Sequence, residues 1–342
     1  MNEKKYEFRE QKVSVYFDGN FTMLAEIVDK ESAVLITDDN IYSHHSEKFD
    51  GWKTIVLKAG EKYKNQKTVD EIINRLIELH ADRQTFIVGI GGGVVTDITG
   101  YAASVYMRGV HFGFMPTSIL AMVDASIGGK NGVDVGVYKN LVGTINHPQF
   151  LLYDYSFLET LPEKEWINGF AEIIKHACIK DKDMFDFLKE NTLGYFRDSK
   201  QNIGSLIQKN VEIKYNIVAN DERETGDRKL LNFGHTLGHA IENTAELPHG
   251  SAISIGMIAA CHISEKINRF PTLAGKEIEQ LLSLYHLPVS YPVDKEKTWQ
   301  VLLHDKKKSG KDMHFIVLNE IGNASVKKIP LSELKEIFFN LS

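Results

Sequence analysis

Cysteine is scarce in this chain, whose 342 residues include only Cys178 and Cys261. Because these two stand far apart in apolar segments, we expect buried free thiols and neither a disulfide framework nor a Cys-x-x-Cys metal site. Long hydrophobic runs are also missing, since no segment approaches the ~18 consecutive apolar residues of a membrane-spanning helix. The opening residues, MNEKKYEFRE, lack the apolar core of a secretion signal. These absences predict a cytoplasmic protein with no membrane partner.

An excess of positive charge is absent as well, because the formal net charge is -6. We therefore expect no nucleic-acid partner, although a local basic pocket for a small anion is compatible with this charge. Internal repeats, low-complexity tracts and long Pro/Gly linkers are missing too. Hydrophobic residues make up 43% of the chain and charged residues 25%, which is typical of a globular protein with room for two domains.

Short apolar runs of strand type alternate with a helical pattern in the first half of the chain. The runs are 33–37 (AVLIT), 54–57 (TIVL), 85–90 (TFIVGI) and 112–115 (FGFM), and the helical pattern covers 69–79. Strands that are apolar on both faces are typical of a parallel sheet covered by helices. The pattern predicts an α/β domain over residues 1–160, with a Rossmann-like and mostly parallel sheet.

From about residue 161 the apolar residues recur at helical spacing, and Pro162 stands at a predicted helix start. The predicted helices are 163–179, 181–190, 203–219, 232–242, 252–268, 275–285 and 331–339, and one hairpin joins 315–318 to 324–328. Residues 161–342 are therefore predicted to form a mainly α-helical domain. The candidate metal and substrate residues described next place both binding functions in this domain.

Two histidines, His235 and His239, are four residues apart in LNFGHTLGHAIE and should project from one face of a helix. An isolated pair of this kind is more often a pair of ordinary core or surface histidines than a metal site. Here His249 follows ten residues later, and Glu172 and Lys175 lie one turn apart in an otherwise apolar helix, where an ionised pair needs partners. A carboxylate and imidazoles from separate helices predict a zinc site with an open position for a substrate oxygen.

Arg228 and Asn232 precede the two histidines at spacings of four and three residues. If the helix begins that early, one face presents a guanidinium, an amide and two imidazoles together. Each of these charged or polar groups, taken singly, is more often a solvated side chain on a helix surface. Opposite Glu172 and Lys175, however, the whole set describes a polar pocket better than a surface.

Two glycine-rich segments can approach phosphate groups closely. GGGVVTD, at 91–97, lies between a predicted strand and a helix, where backbone amides and the helix N-terminus favour a pyrophosphate. It lacks the last glycine of GxGxxG, so by itself it is equally typical of a tight turn. The segment 122–143 combines glycines with Lys130, Lys139 and Asn140, which predicts either a phosphate-binding loop or a flexible surface loop.

In chain order, the segments GGGVVTD, YMRG, AMVDASIGGKNGVD, KNLVG, FAEIIK, NFGHTLGHAIE and HGSAISIGM resemble the 3-dehydroquinate synthase family of sugar phosphate cyclases. The resemblance runs from about Asp38 to the DKK at 305–307. It implies that 3-deoxy-D-arabino-heptulosonate 7-phosphate is converted to 3-dehydroquinate and phosphate in the shikimate pathway. The implied reaction is a carbon–oxygen lyase reaction, in which NAD-mediated oxidation, phosphate elimination, reduction and aldol closure follow one another.

The resemblance assigns zinc, with cobalt as a possible substitute, to Glu172, His235 and His249. It assigns NAD to residues in and near the loops that follow the predicted strands. These are Asp38, Asn40, Glu61, Lys64, Gly92, Gly93, Val94, Asp97, Thr117, Ser118, Lys139, Phe157 and Thr160. Taken singly, the polar residues of this set are more often ordinary loop or cap residues.

The substrate residues implied by the resemblance fall into three groups. Lys130, Asn140, Asn232 and His239 match the phosphate and proton-transfer side, Lys214, Arg228 and Lys306 match a carboxylate clamp, and Asp124, Lys175 and Glu224 match contacts to hydroxyl groups. Of the lysines at 306 and 307, Lys306 is favoured for the clamp. Arg108 matches an arginine that the family donates across its dimer interface, so the resemblance also implies a homodimer.

Three residues depart from the usual family pattern. Ser251 stands where HGE has glutamate, Asn131 where GGKTG has threonine, and Asp227 where leucine precedes the arginine. Ser251 is the most important of the three, because it neighbours a predicted metal ligand and can alter that ligand's surroundings. None of the departures removes a matched site residue.

Three alternatives stand beside this interpretation. A sister cyclase, of the 2-deoxy-scyllo-inosose or valiolone type, would use a sugar phosphate that lacks a carboxylate, which the clamp residues argue against. A metal-dependent alcohol dehydrogenase of the glycerol dehydrogenase kind would release NADH at every turnover. A binding protein without catalysis would carry the same residues, and only turnover distinguishes it from an enzyme.

Overall fold

The computed structural model describes residues 2–8, 11–136, 138–304 and 308–340. The chain divides into two compact units. The first comprises Met1–Glu165 together with Gly204–Tyr215, and the second comprises Trp166–Ile203 and Asn216–Ser342. Each unit is described by itself below.

The first unit is built around a seven-stranded sheet flanked by helices. Its strands are β1 (Asn2–Glu7), β2 (Lys12–Phe17), β3 (Ala33–Asp38), β4 (Lys53–Leu57), β5 (Phe86–Gly91), β6 (Phe112–Pro116), β7 (Lys130–Val135), β8 (Tyr138–Ile145) and β9 (Phe150–Leu152). Its helices are α1 (Leu24–Ile27), α2 (Asp39–His45), α3 (Gln66–Glu78) and α4 (Gly93–Val105). The sheet order is β1-β2-β9-β6-β5-β3-β4, and β7 and β8 form a separate two-stranded sheet.

All pairings in the large sheet are parallel except that of β1 with β2. Strands β3, β5 and β6 lie inside the sheet, and their apolar residues are buried on both faces. The predicted Rossmann-like, mostly parallel sheet is therefore confirmed. Strands β1, β2 and β9 were not predicted, because β1 carries charged residues at an edge and β9 has only 3 residues.

The segment expected to be a loop over 122–143 is instead largely a hairpin, formed by β7 and β8. Gly132 pairs with Gly143 in this hairpin. A Cβ at Gly143 would lie 2.1 Å from the Asn131 carbonyl oxygen, so only glycine permits this approach of the two backbones. The glycines that suggested flexibility therefore serve close strand pairing, which sequence periodicity alone does not distinguish from a loop.

The second unit is mainly helical, as predicted. In chain order the elements from residue 163 onward are α5 (Glu163–Lys180), α6 (Lys182–Lys189), α7 (Leu193–Arg197), α8 (Lys200–Asn220), α9 (His235–Ala245), α10 (His249–Asn268), α11 (Thr272–Leu284), α12 (Lys295–His304), β10 (Lys308–Ser309), β11 (Asp312–Glu320), β12 (Asn323–Pro330) and α13 (Leu331–Phe339). The middle of α8 belongs to the first unit. The predicted hairpin is confirmed as β11 and β12, whereas α12 was not predicted.

The expectation that Arg228, Asn232 and the two histidines share one helical face is wrong. Asp227–Asn232 forms a short 3-10 helix, and α9 begins only at His235. Between them Gly234 has a φ of 77°, in the left-handed region that favours glycine. The chain therefore changes direction before the first histidine, and Arg228 and Asn232 lie on a different element from the two histidines.

Glycines also allow α9 and α10 to pack with their backbones in close contact. A Cβ at Gly256 would lie 2.1 Å from the Gly234 carbonyl oxygen and 2.7 Å from the Gly238 nitrogen. Both of these are backbone atoms, and they can move away only if the whole helix shifts. This close approach brings the histidines of α9 next to the histidine that begins α10.

Both cysteines are buried and free, which confirms the expectation for them. Cys178 lies in α5 and Cys261 in α10, and burial raises the pKa of each thiol. Across the described ranges, every helix is too short or too polar to cross a membrane.

We predict that Gly256→Ala lowers the free energy of unfolding by about 1–3 kcal/mol, because the added methyl group forces α9 away from α10. Chemical denaturation of both proteins measures this change. Gly194→Ala in α7 is the matched control, because the nearest atom to its added Cβ is Thr192 Oγ1 at 3.7 Å. Equal stability of the two variants would contradict the proposed importance of the backbone contact.

Candidate active site

A carboxylate and two imidazoles meet inside the second unit. Glu172 projects from α5 and is completely buried, at 0% exposure. Its Oε1 lies 3.1 Å from His249 Nε2 and 3.4 Å from His235 Nε2. The three side chains offer ligand atoms within 4.8 Å of one another. The structure therefore brings together all three residues that the sequence assigns to the metal.

The other ring nitrogen of each histidine faces an oxygen atom of a second residue. Nδ1 of His235 lies 3.1 Å from the Phe233 carbonyl oxygen, which can only accept, so Nδ1 carries the hydrogen. Nδ1 of His249 lies 3.5 Å from Glu242 Oε2. Acceptors of this kind orient a metal-binding imidazole and select the tautomer whose Nε2 lone pair is available. Two such nitrogens and one carboxylate oxygen form a donor set that suits zinc.

Lys175 lies one turn after Glu172 in α5, and its ammonium forms an ion pair with the Glu172 carboxylate. Burial by itself would raise the pKa of Glu172, but Lys175 and then His235 outweigh burial and hold that pKa well below its usual range. Burial lowers the pKa of His235. The Glu172 and Glu242 carboxylates outweigh burial and raise the pKa of His249 to about 9. At neutral pH the pocket therefore contains an ionised carboxylate, a neutral His235 and a protonated His249, which must release its proton when a divalent metal ion binds.

His239 lies next to this cluster on α9. Its ring centroid is 5.1 Å from that of His235 and 6.2 Å from that of His249. His239, Glu242 and His249 form a second group with ligand atoms within 4.8 Å of one another. The sequence analysis did not assign a role to Glu242, although its position three residues after His239 indicates the same region of the helix.

The loop before α9 holds three more candidate residues. An amide hydrogen of Asn232 is donated to the Glu224 carboxylate, and the Arg228 guanidinium donates to the Glu222 carbonyl oxygen. Arg228 is only 2% exposed. Glu224, Arg228 and Asn232 are therefore close neighbours, although they do not share a helical face with the histidines.

In the first unit, the glycine segment joins the carboxyl end of β5 to α4. Gly92 precedes the helix, and Gly93, Val94 and Asp97 lie in its first turns. The first amide groups of a helix have no partner within it and face the preceding loop, where they can bind a phosphate. A Cβ at Gly92 would lie 3.4 Å from Ser118 Oγ, so the hydroxyl of this NAD candidate lies beside the glycine segment.

Further NAD candidates surround this segment. The ammonium of Lys64 lies 2.5 Å from the Asp97 carboxylate, and the Thr117 amide donates to the Gly91 carbonyl oxygen. Burial disfavours the charge of Lys64, but the carboxylates of Asp97 and Glu61 outweigh burial and raise the pKa of Lys64. The carboxyl ends of β5 and β6 thus combine amide groups and a cation, which suits a dinucleotide pyrophosphate.

The remaining NAD candidates occupy neighbouring loops. Asp38 precedes α2 and accepts the Ile41 amide at 2.9 Å, so its carboxylate also caps the helix that contains Asn40. Two further contacts involve such candidates: Lys139 lies 3.5 Å from Glu61, and Thr160, which follows the short 3-10 helix containing Phe157, bonds to His45 Nε2 at 2.8 Å. Asp38 ends β3, Asn40 and Glu61 follow β3 and β4, Lys139 lies within β8, and Thr160 follows β9.

The β7–β8 hairpin carries Lys130 at its start and Asn140 in its second strand. The backbone N–H of Asn140 donates to the Asp134 carboxylate at 2.7 Å, and Asn140 has a φ of 50°. In the same unit, the Lys214 ammonium lies 2.7 Å from the Asp124 carboxylate. Lys306 lies outside the described residues.

Arg108 lies apart from the glycine segment. It is exposed and follows α4, whose 13 residues span roughly 20 Å. Met107 and Arg108 have φ values of 48° and 69°. Two consecutive left-handed residues other than glycine are uncommon, and such strain is typical of turns with a functional role.

The three departures from the family pattern have different surroundings. Asn131 is buried, and its amide donates to the carbonyl oxygens of Gly129 and Asn146. Asp227 is exposed at the start of the 3-10 helix. Ser251 lies in the first turn of α10, where its carbonyl accepts Ser254 Oγ. Glu242 Oε2 lies 3.5 Å from His249 Nδ1, so this imidazole has a carboxylate neighbour without a glutamate at 251.

Comparison with known proteins gives consistent results. Residues 54–168 match the family model for the 3-dehydroquinate synthase N-terminal domain, and residues 169–308 match the C-terminal one. A 3-dehydroquinate synthase from Streptococcus sanguinis (strain SK36) is 39% identical over 325 residues, which cover 92% of this chain and 91% of that protein.

Two solved structures are similar along nearly their whole length. One is 2-deoxy-scyllo-inosose synthase complexed with carbaglucose-6-phosphate, NAD+ and Co2+, which has a TM-score of 0.86 and 25% identity and covers 98% of this chain and 99% of that one. The other is 2-epi-5-epi-valiolone synthase from Streptomyces hygroscopicus subsp. jinggangensis 5008 with NAD+ and Zn2+ bound, which has a TM-score of 0.86 and 26% identity and covers 99% and 97%. The fold is that of the sugar phosphate cyclases.

We predict that Glu242→Ala weakens zinc binding about 10–100-fold, because the His249 ring loses the carboxylate that orients it. Competition with a coloured chelator measures this affinity without requiring catalysis. Glu246→Ala is the matched control, since Glu246 lies at the end of the same helix and is exposed. Equal zinc affinity of the two variants would show that Glu242 does not support His249.

Proposed function

The chain belongs to the 3-dehydroquinate synthase family, and we propose on that basis that it converts 3-deoxy-D-arabino-heptulosonate 7-phosphate to 3-dehydroquinate and phosphate. In this proposal the enzyme is a carbon–oxygen lyase of aromatic amino acid biosynthesis. The observation that carries the proposal is the buried Glu172 carboxylate facing two imidazole Nε2 atoms in a chain of this family. Location in the cytoplasm stays a prediction.

NAD and a divalent metal ion are the cofactors of this proposal. The related cyclase structures contain NAD+ with Co2+ or Zn2+, which supports the assignment. Residues 1–160 would hold NAD through the glycine segment and its neighbours, and residues 161–342 would hold zinc, or cobalt as a substitute, through Glu172, His235 and His249. When bound, NAD supplies a reversible two-electron oxidation and the metal ion supplies a Lewis acid.

The protein's own residues bind and orient the substrate. We assign the substrate carboxylate to Arg228, with Lys214 and Lys306, because a guanidinium pairs with a carboxylate through two parallel hydrogen bonds. Arg228 is buried, so its attraction to a bound carboxylate would be weakened less by water than at an exposed site. The substrates of the sister cyclases lack that carboxylate, so this contact favours the heptulosonate.

Other residues of the set serve the phosphate and the hydroxyl groups. Lys130, Asn140, Asn232 and His239 are assigned to the phosphate and to proton transfer, and Asp124, Lys175 and Glu224 are assigned to the hydroxyl groups. Oxidation of the alcohol acidifies the neighbouring C–H bond, so phosphate can leave without a strong base. Catalysis then depends on exact placement of these donors, more than on an unusually basic side chain.

The test is incubation of the protein with the heptulosonate phosphate, NAD and zinc. We expect phosphate and 3-dehydroquinate to appear in equal amounts, while the NADH absorbance stays near its starting value, because the electrons return to the substrate. Chelation of the metal should abolish turnover, and zinc or cobalt should restore it.

Each alternative gives a different result in the same assay. Accumulation of one NADH per product indicates an alcohol dehydrogenase. Faster turnover of glucose 6-phosphate or sedoheptulose 7-phosphate indicates a sister cyclase. Tight binding of NAD and the sugar without any product indicates a binding protein. Any of these outcomes would contradict the proposed function.

We further propose a homodimer in which Arg108 contributes to the partner's active site. Arg108 lies on an exposed, left-handed turn about one helix length from the glycine segment of its own chain. In the same unit the β7–β8 hairpin exposes large apolar side chains, namely Val135, Tyr138, Leu141, Val142 and Ile145. Exposed apolar groups collected on one small element are typical of a protein–protein interface.

Mixing Arg108→Ala chains with Lys175→Ala chains tests the contribution in trans. We expect activity to recover to roughly a quarter of the wild-type value, because half of an equal mixture is heterodimer and each heterodimer keeps one complete site. Differently tagged chains establish that the subunits exchange. If heterodimers form but the mixture is no more active than its two components, Arg108 does not act in the partner's site.

A further inference from the structure

Asp221 is a charged residue to which neither the family resemblance nor the mechanism above assigns a role. It follows α8 at the start of the segment 221–232, which we call the substrate loop. One oxygen of its carboxylate accepts the Thr225 amide at 2.9 Å and the Thr225 hydroxyl at 3.1 Å. The other oxygen accepts the amides of Gly226 at 2.7 Å and Arg228 at 3.0 Å. A single side chain thus holds the backbone at three positions of the loop.

We propose that Asp221 is a positioning residue that holds the substrate loop in the conformation that presents Glu224, Arg228 and Asn232 to the substrate. The inference rests on the proposed function, because that function assigns those three residues to the substrate. Asp221 itself does not contact the substrate in this proposal. Its effect is transmitted through the backbone hydrogen bonds of the loop.

The backbone of the loop needs such support. Glu224 has a φ of 58°, in the left-handed region that a residue other than glycine rarely adopts. A strained conformation of this kind persists only where the surroundings hold it in place. The Asp221 carboxylate binds the amides on the C-terminal side of Glu224, and its own backbone carbonyl accepts the Glu224 amide at 3.4 Å. Hydrogen bonds to Asp221 therefore hold the backbone at Glu224 itself and just after it.

The side chains of the loop depend on that backbone. The Arg228 guanidinium donates to the Glu222 carbonyl oxygen, so its direction follows the backbone at 222. Asn232 donates to the Glu224 carboxylate, so its amide follows the strained residue. Arg228 is 2% exposed, so its side chain has little conformational freedom. Its backbone amide is itself bonded to Asp221. Release of the Asp221 bonds would therefore displace all three substrate residues together.

The Asp221 carboxylate is negatively charged, which strengthens its hydrogen bonds to the backbone amides of the substrate loop. Burial would raise its pKa, but the amides of Gly226, Thr225 and Arg228 outweigh burial and lower the pKa to about 2. The carboxylate is therefore ionised at any pH at which the enzyme would work, and each amide bond is assisted by the charge. Asparagine at this position would keep one acceptor oxygen and lose the other.

The first measurement is steady-state kinetics of Asp221→Ala with the heptulosonate phosphate. We expect KM to rise at least ~10-fold with a smaller change in kcat, because a misplaced carboxylate clamp weakens binding of ground state and transition state alike. Asp221→Asn should recover part of the loss, since one acceptor oxygen remains. The matched control is Asp227→Asn, an exposed carboxylate of the same loop, which should stay within twofold of wild type.

The second measurement is the double variant with Arg228→Ala. If Asp221 positions Arg228 together with Glu224 and Asn232, the double variant should lose less kcat/KM than the product of the two separate losses. Multiplication of the two separate losses would show that Asp221 acts independently of the arginine and would overturn the proposal. So would an unchanged KM in Asp221→Ala, or a loss confined to kcat.

Hydrogen exchange separates this inference from the proposed function. The backbone amides of Thr225, Gly226 and Arg228 should exchange at least ~10-fold faster in Asp221→Ala, whereas zinc affinity should be unchanged because the metal ligands lie outside the loop. If wild type shows this pattern of protection but does not turn over the heptulosonate, the proposed function fails and the loop role of Asp221 stands. If exchange is unchanged, the inference fails whatever the substrate. Should Asp221→Ala not fold, Asp221→Asn carries the same comparisons.

Discussion

The arrangement of the second unit depends on one buried charge, the Glu172 carboxylate. At 0% exposure this group cannot be solvated by water, and an isolated buried carboxylate would become protonated. Lys175 on the same helix pairs with it, and His235 and His249 face it from the starts of α9 and α10. Loss of one partner from such a pair typically costs about 3–5 kcal/mol, so the residues around Glu172 are constrained together.

That constraint explains why the helices around the carboxylate are packed so closely. The imidazoles reach Glu172 from separate helices, and the glycines at 234, 238 and 256 let those helices approach at backbone distance. The ring nitrogen of His235 that faces away from Glu172 bonds to the Phe233 carbonyl oxygen, and that of His249 forms an ion-pair contact with Glu242. Hydrogen bonds and ion pairs among the protein's own groups thus fix the candidate ligands in place. The conformational entropy of these side chains is therefore lost during folding and not when a divalent ion binds.

Much of the fold followed from local patterns, while the exceptions have particular causes. Strands β3, β5 and β6 are apolar throughout because helices cover both faces, and helices α5 and α10 have long apolar stripes, so all five were predictable. Edge strands such as β1 and short strands such as β9 carry no comparable signal. The hairpin β7–β8 was taken for a loop because its glycines serve close pairing of two backbones, which a one-dimensional pattern does not reveal.

The sequence by itself determined the chemical inventory: which carboxylate, imidazoles and cations exist, and the motifs whose order identifies the family. Tertiary structure decided which of them meet. Gly234 interrupts the expected continuous helix, so Arg228 and Asn232 lie on a separate turn from the histidines. Glu242 and Asp221 were not identified from the sequence. Their partners are only four to seven residues away, but the contacts depend on the turns between them, and the folded chain sets those turns.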